Sequence, residues 1–350
     1  MLARGVVTAA LLLFAAGCGG QGSEWPEGGE PPWLVLRVDA VNVSPYHART
    51  SIPWDGAVPQ PTDGAECGLL GVAIGFINPI AGKGAQYLCQ LDGRPRQQEH
   101  DPSAPDLVVA IAAGTSAPYQ TYTARDTFYH VFRSEFIIPT DAIPADGLSL
   151  TVVDRDGGSQ PEVIGAVRLD RAQLVDAALS SAMLVLSDGN GGLQRLELVV
   201  GGSAQPSEET DATMNTKNGT AAAPMRPIRA GEVLEVSAAG RYRVGSFYDS
   251  WLDPRGYPGG GPKGYNFENE PFRSAPHGSG LVMVGKGDAK VGMIVAPCAR
   301  FMSRVAGPLV LGINDAEPEN NEGSAQFAVR VRAPSAAEWL GARAEPCAGR

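Results

Sequence analysis

Two clusters of oxygen-bearing side chains carry the chemistry in this 350-residue chain. In the first, Asp154, Asp156 and Glu162 follow an apolar run and share one turn. In the second, Asp315, Asn320 and Asn321 converge with loop carbonyls between two apolar runs. Carboxylates, amides and carbonyls are hard donors, and calcium takes six to eight of them on flexible loops. Three carboxylates on one turn repel each other unless a cation sits between them. Asp, Asn and Gly also favour tight turns for their own sake, so plain turn chemistry is the competing reading of both loops.

No comparable set points to catalysis. There is no G-x-S-x-G, so a nucleophile elbow has no anchor. Residues 75–83 have the flavour of a phosphate loop, but the glycine spacing is too long and Gly84 stands where Ser or Thr is needed. His47, His100, His130 and His277 form no H-E-x-x-H. Acidic pairs are plentiful, but none is singled out as a general acid and base. The expectation is a binding protein and not an enzyme. Lys and Arg number 28 against 38 Asp and Glu, a net charge of −10. Nucleic acid needs clustered positive charge, so it is excluded as a partner.

The elements that must hold the loops read as strands. Gly (44) and Pro (28) are too frequent for a helical bundle and suit many strands joined by turns. Strands are expected at Trp33–Asn42, Asp106–Ala112, Tyr129–Pro139, Leu148–Val153 and Val163–Leu169, with a short helix near Arg171–Leu179. Met183–Leu186 and Leu193–Val200 flank a Gly- and Asn-rich turn, a hairpin signal. Gly201–Pro224 has almost no large apolar residue and reads as a linker. A second strand-rich block runs from Ile228 to Ala333, with a glycine-rich loop at Gly256–Gly264.

The chain opens with an address. Arg4 precedes an apolar run from Val6 to Ala16, the layout of a secretory signal. Ala15-Ala16-Gly17-Cys18 resembles the bacterial lipobox. That resemblance implies cleavage before Cys18, lipidation of its sulfur, and a membrane anchor without a membrane span. Residues 1–17 are then the signal peptide and 18–32 a flexible tether. Localisation in the bacterial cell envelope, on the outer membrane or cell surface, follows as an expectation. The other cysteines are Cys67, Cys89, Cys298 and Cys347, an even number that suggests two disulfides in an exported protein. Of the three pairings, Cys67–Cys89 with Cys298–Cys347 keeps each bond within its own half of the chain. Zinc is disfavoured because no C-x-x-C pair exists.

Two further resemblances organise the rest. Leu148–Leu169, with its strand, D-x-D, acid and Ile164-Gly165, looks like the calcium-loop segment of C2 domains. Phe132-Arg133-Ser134-Glu135-Phe136 and Pro105-Asp106-Leu107-Val108-Val109 resemble two other strands of that family. The resemblance covers 33–202, with 57–104 as an insertion. It implies an eight-stranded antiparallel sandwich and, carried over, Asp106, Asp154, Asp156 and Glu162 as calcium ligands. Ala230–Gly240, Gly280–Gly285, and Leu311–Asp315 followed by Asn320–Ser324 match, in order, three segments of the PA-IL galactose-binding lectins. This implies a jelly-roll sandwich over 226–335, with Asp315, Asn320 and Asn321 holding calcium and, through it, carbohydrate. Residues 336–350 are left as a tail.

The expected architecture is therefore all-β: two antiparallel sandwiches joined by a flexible linker at 203–225. The expected role is calcium-dependent binding of carbohydrate or a cell-envelope component, from a lipid anchor. The alternative is a structural envelope lipoprotein that holds protein partners and whose ligand sites have degenerated.

Overall fold

Sixteen strands, two short α-helices and the turns between them are seen among the described residues of the computed structural model. These residues are 29–47, 54, 104–114, 116–155, 161–203, 207–245, 251–257, 275–285, 291–295 and 298–341. The signal peptide, Cys18, nearly all of the insertion, Cys67, Cys89, Asp156 and Cys347 lie outside them.

The first eight strands form two four-stranded antiparallel sheets. They are β1 (Trp33–Val43), β2 (Leu107–Ala113), β3 (Tyr119–Gln120), β4 (Tyr129–Pro139), β5 (Leu148–Asp154), β6 (Glu162–Leu169), β7 (Met183–Leu186) and β8 (Leu193–Ser203). One sheet runs β4-β1-β8-β7 and the other β3-β2-β5-β6. Eight strands are what the C2 resemblance implies. Alternation sets which face of a strand is buried. In β1, Leu34, Leu36 and Val38 point inward and are fully buried, while Leu107, Val109 and Ile111 of β2 meet them from the facing sheet. In β4, Phe132 and Phe136 are buried and Arg133 is exposed. Each fully buried Leu or Ile of this kind contributes about 1.5–3 kcal/mol over leaving it in water.

Helix α1 (Arg171–Ser180) covers one end of this core with Leu174, Val175, Ala177 and Ala178. It starts where it does because Asp170 and Gln173 form a capping box: Asp170 Oδ1 accepts from Gln173 N at 2.8 Å and Gln173 Oε1 accepts from Asp170 N at 3.0 Å. Across the β7–β8 hairpin, Asp188 Oδ1 accepts from the backbone of Asn190 and Gly191.

The second pair of sheets uses β9 (Ser207–Asn215), β10 (Thr220–Ala222), β11 (Val233–Arg243), β12 (Gly280–Val284), β13 (Val291–Val295), β14 (Cys298–Met302), β15 (Leu309–Ile313) and β16 (Glu322–Arg332). The orders are β10-β15-β12-β13 and β14-β11-β16-β9. A separate core of Leu234, Val236, Val282, Leu311, Phe327 and Val329 lies between them.

Three expectations need correcting. The stretch 203–225 is not a linker: β9 pairs with β16 along Ser207–Asn215, and β10 pairs with β15. The segment is polar because both strands lie at sheet edges, where backbone pairing holds a strand that buries little. Nor does 336–341 trail off as a tail. Helix α2 (Ala336–Trp339) follows Ser335, whose hydroxyl caps Glu338 N, and buries Trp339. The end of the expected tether is also docked: Thr140 N donates to Pro32 O at 3.0 Å, and Arg171 pairs with Glu30.

Candidate metal and ligand sites

The first site lies where β2 begins, β5 ends and β6 begins. Asp154, at the end of β5, is 3% exposed. Its Oδ1 accepts from Asp106 N at 2.8 Å, and Asp106 O accepts from Arg155 N at 2.9 Å. Asp106 Oδ1 in turn accepts from Asp126 N at 3.0 Å. The two aspartates therefore clamp backbone, closing the mouth between β2 and β5. Glu162 stands opposite Asp154 in the β5–β6 register. Its side chain is 64% exposed, and Oε2 lies 3.8 Å from His47 Nε2. His47 rests on the Trp54 ring at 3.9 Å between centroids. The structure thus joins Asp106 to Asp154 and leaves Glu162 mostly in solvent. Among the described residues, no group of three or more His, Cys, Asp or Glu is arranged to hold a metal ion.

The second site is built by the loop between β15 and β16. Asn314 directly follows β15 and is fully buried. Its N–H donates to Ser279 O at 2.8 Å, its carbonyl accepts from Gly278 N at 2.8 Å, and Nδ2 donates to Ala275 O at 3.2 Å. The loop is thereby pinned to the segment that feeds β12. Tyr242, on β11, holds the same segment through its O–H, donating to Gly278 O at 2.6 Å. Burial pushes that phenol upward, so it stays a neutral donor.

Asp315 follows, 8% exposed. Its Oδ1 accepts from Glu317 N at 3.0 Å. Its Oδ2 is buried with no hydrogen-bond partner among the described residues. A buried carboxylate oxygen without a donor is costly, because the charge has left water and gained nothing. Ser279 Oγ is orphaned in the same way on the neighbouring strand's approach.

A 3-10 turn at Pro318–Asn320 then delivers Asn320 to the surface and Asn321 inward. Asn321 is fully buried. Its Oδ1 accepts from Gly245 N at 3.2 Å and its Nδ2 donates to Thr216 O at 3.4 Å. Asp315 and Asn321 are thus both buried, at the two ends of the loop, with the Asn321 oxygen already engaged, while Asn320 stays exposed. Trp251, 48% exposed, comes against Gly323 just beyond. Tyr257 stacks on buried His277. Tyr265 and Phe267 lie outside the described residues.

Sequence reasoning missed Asn314, Thr216, Gly245 and Ser279. Asn314 had a signal, being adjacent to Asp315. Thr216 had none, since it lies in the stretch read as linker.

No family model matches the chain. No curated protein matches it. Among solved structures it is similar to the N-terminal domain of EclA, a PllA-like lectin, at 21% identity over 35% of this chain and 93% of that one, with a TM-score of 0.26. It is similar to the calcium-bound tandem C2 domains of Extended-Synaptotagmin 2 at 10% identity over 87% and 98% of the two chains, with a TM-score of 0.29. Human GIVD cytosolic phospholipase A2 is similar at 12% identity over 86% of this chain and 30% of that one, with a TM-score of 0.28. The neighbours thus include a lectin domain and C2 domains, at low identity.

Proposed function

We propose that this chain is an exported binding protein that uses calcium at the β15–β16 loop to engage carbohydrate or a cell-surface partner. The observation that carries this reading is the Oδ2 of Asp315, buried at the start of the β15–β16 loop with no hydrogen-bond partner among the described residues. A divalent cation would satisfy that oxygen, and hard oxygen donors are what calcium prefers. Asp315 and exposed Asn320 would supply side-chain oxygens to it. Asn321 would need to release Gly245 N before its own oxygen could join. Bound calcium supplies open coordination positions that sugar hydroxyls can fill.

The test is calorimetric titration of calcium into the chain and into D315N, followed by glycan binding with and without chelator. Calcium heat that vanishes in D315N supports the reading. Equal heat in both proteins, or no heat in either, sinks it.

At the first site the observations favour the second reading, a structural role. Asp154 Oδ1 and Asp106 Oδ1 are spent on backbone N–H groups. Any calcium there would compete with those bonds for Asp106 and Asp154, and would draw on Glu162 and Asp156.

The lipid anchor at Cys18 and the envelope location belong to the same proposal and rest on the residues around Arg4 and Ala15–Cys18. A binding role without catalysis rests on the lack of catalytic motifs in the sequence. Pairing of Cys298 with Cys347 belongs to the same proposal and is supported by one placement. Arg300, on the same strand, holds Glu338 of α2 at 3.2 Å, so the chain beyond α2 starts close by.

A further inference from the structure

Trp339 comes after the last strand of the second sandwich, yet its side chain lies in the hydrophobic core of the first. It is 1% exposed and clusters with first-sandwich residues. Its ring stacks on Tyr119 of β3 with centroids 4.7 Å apart and planes 17° from parallel. The Tyr119 O–H donates to Trp339 O at 2.6 Å. The Arg304 guanidinium sits 4.3 Å from the centre of the Tyr119 ring. The base of the helix is tied on both sides. Glu338 Oε1 takes Arg332 Nη2 at 2.5 Å and Arg300 Nη2 at 3.2 Å, both from the second sandwich. Trp33 Nε1, from β1, donates to Pro334 O at 3.0 Å.

The surface around Trp339 is fitted to receive it. Gly231 has φ of +97°, and a Cβ there would lie 2.4 Å from Ile137 O and 3.1 Å from Trp339 Nε1. That close approach lets backbone cross between the sandwiches. Ile137 N donates to Ala230 O at 2.9 Å, and Ala230 N donates to Glu135 O at 2.9 Å. Gln120 N donates to Arg304 O at 2.9 Å, and Arg229 Nε meets Glu135 Oε2 at 2.8 Å. β3 and β4 of the first sandwich thus form isolated parallel bridges with Val305 and Ala230 of the second block.

We infer that α2 is a strap whose Trp339 locks the two sandwiches into one body. The indole N–H is buried and has no hydrogen-bond partner among the described residues, so it is packing and stacking that hold the ring. An aromatic without that N–H should therefore serve nearly as well. The joint fixes the β15–β16 loop relative to the first sandwich, so a partner touching both halves meets a preset surface and spends no hinge entropy on closing it. This holds whether or not either site takes calcium.

Differential scanning calorimetry of the full chain, W339F and W339A tests it, with small-angle scattering on the same samples. One cooperative transition is expected for the full chain and for W339F. Two separated transitions are expected for W339A, with a larger radius of gyration. Two transitions in the full chain, or one in a folded W339A, overturn the strap. If W339A does not fold by circular dichroism, Y119L replaces it. That variant removes the stacking ring from the other side, and two transitions support the strap while one overturns it.

Discussion

Glu338 and Arg332 are joined by two parallel bonds, Nη2 to Oε1 at 2.5 Å and Nη1 to Oε2 at 2.9 Å. The pair spans the short turn between β16 and α2, and Oε2 also accepts from Ser335 N at 3.0 Å. This geometry is bidentate and half-buried, the arrangement in which an ion pair outperforms a surface contact.

The Arg332 guanidinium holds the Glu338 carboxyl well below its ordinary 4.5, down to about 2, with Ser335 adding to the effect. A depressed carboxylate stabilises the fold fully above its unfolded value and loses that contribution as pH falls through the folded one. The melting temperature of E338Q should therefore lie below the parent's at neutral pH. The gap should start to close below about pH 4.5, be mostly gone by about pH 2, and disappear only below that. Thermal melts at stepped pH read this directly, and a gap that keeps its neutral-pH size at pH 2 contradicts it.

Asp315→Asn should leave the Oδ1 bond to Glu317 N in place and replace the orphaned anion with a neutral amide. Without calcium, the variant should match the parent or gain about 1 kcal/mol, because an unsatisfied buried charge has gone. With calcium, only the parent should gain, in proportion to ln(1 + [Ca]/Kd). Urea denaturation with and without chelator measures both terms.

Asp154→Ala strips the acceptor from Asp106 N at the mouth of the first sandwich. A loss of about 1–3 kcal/mol is expected, the usual cost of leaving a buried donor bare. The loss should be the same in chelator, which separates backbone clamping from metal binding. A loss seen only when calcium is present would instead make Asp154 a ligand.

Gly231→Ala places a methyl against Ile137 O at a positive φ. It should cost more than Gly114→Ala, where φ is +54° and nothing lies within 4 Å of the new carbon. About 1 kcal/mol is expected at Gly114 and at least twice that at Gly231. Equal costs would mean that the joint relaxes freely. Chemical denaturation of both variants decides it.

What the sequence reveals here follows the range of the interaction. The expected β4 matches Tyr129–Pro139 at both ends, since alternation of Phe132 and Phe136 with Arg133 is written in neighbouring residues. Helix α1 is legible for the same reason, its cap lying three residues from Gln173. Strand β9 is not legible. Its side chains are polar, Met214 is its one buried side chain among those described, and its register comes from β16, over a hundred residues away. Trp339 is silent for a similar reason, since Tyr119 lies far back in the chain. At the second site, Asp315 and Asn321 could be picked out as loop residues. That Gly245 N already occupies the Asn321 oxygen is a matter of how the chain leaves β11, and no local pattern carries it.

Strands β9 and β10 have a practical consequence for anyone cutting the protein. A recombinant piece beginning at Arg226, where the lectin-like pattern starts, would lose one border strand from each sheet of the second sandwich. Two raw rows of unpaired N–H and C=O groups would face solvent, an invitation to self-association and insoluble expression. Starting the piece at Ser207 keeps both of these native border strands in place.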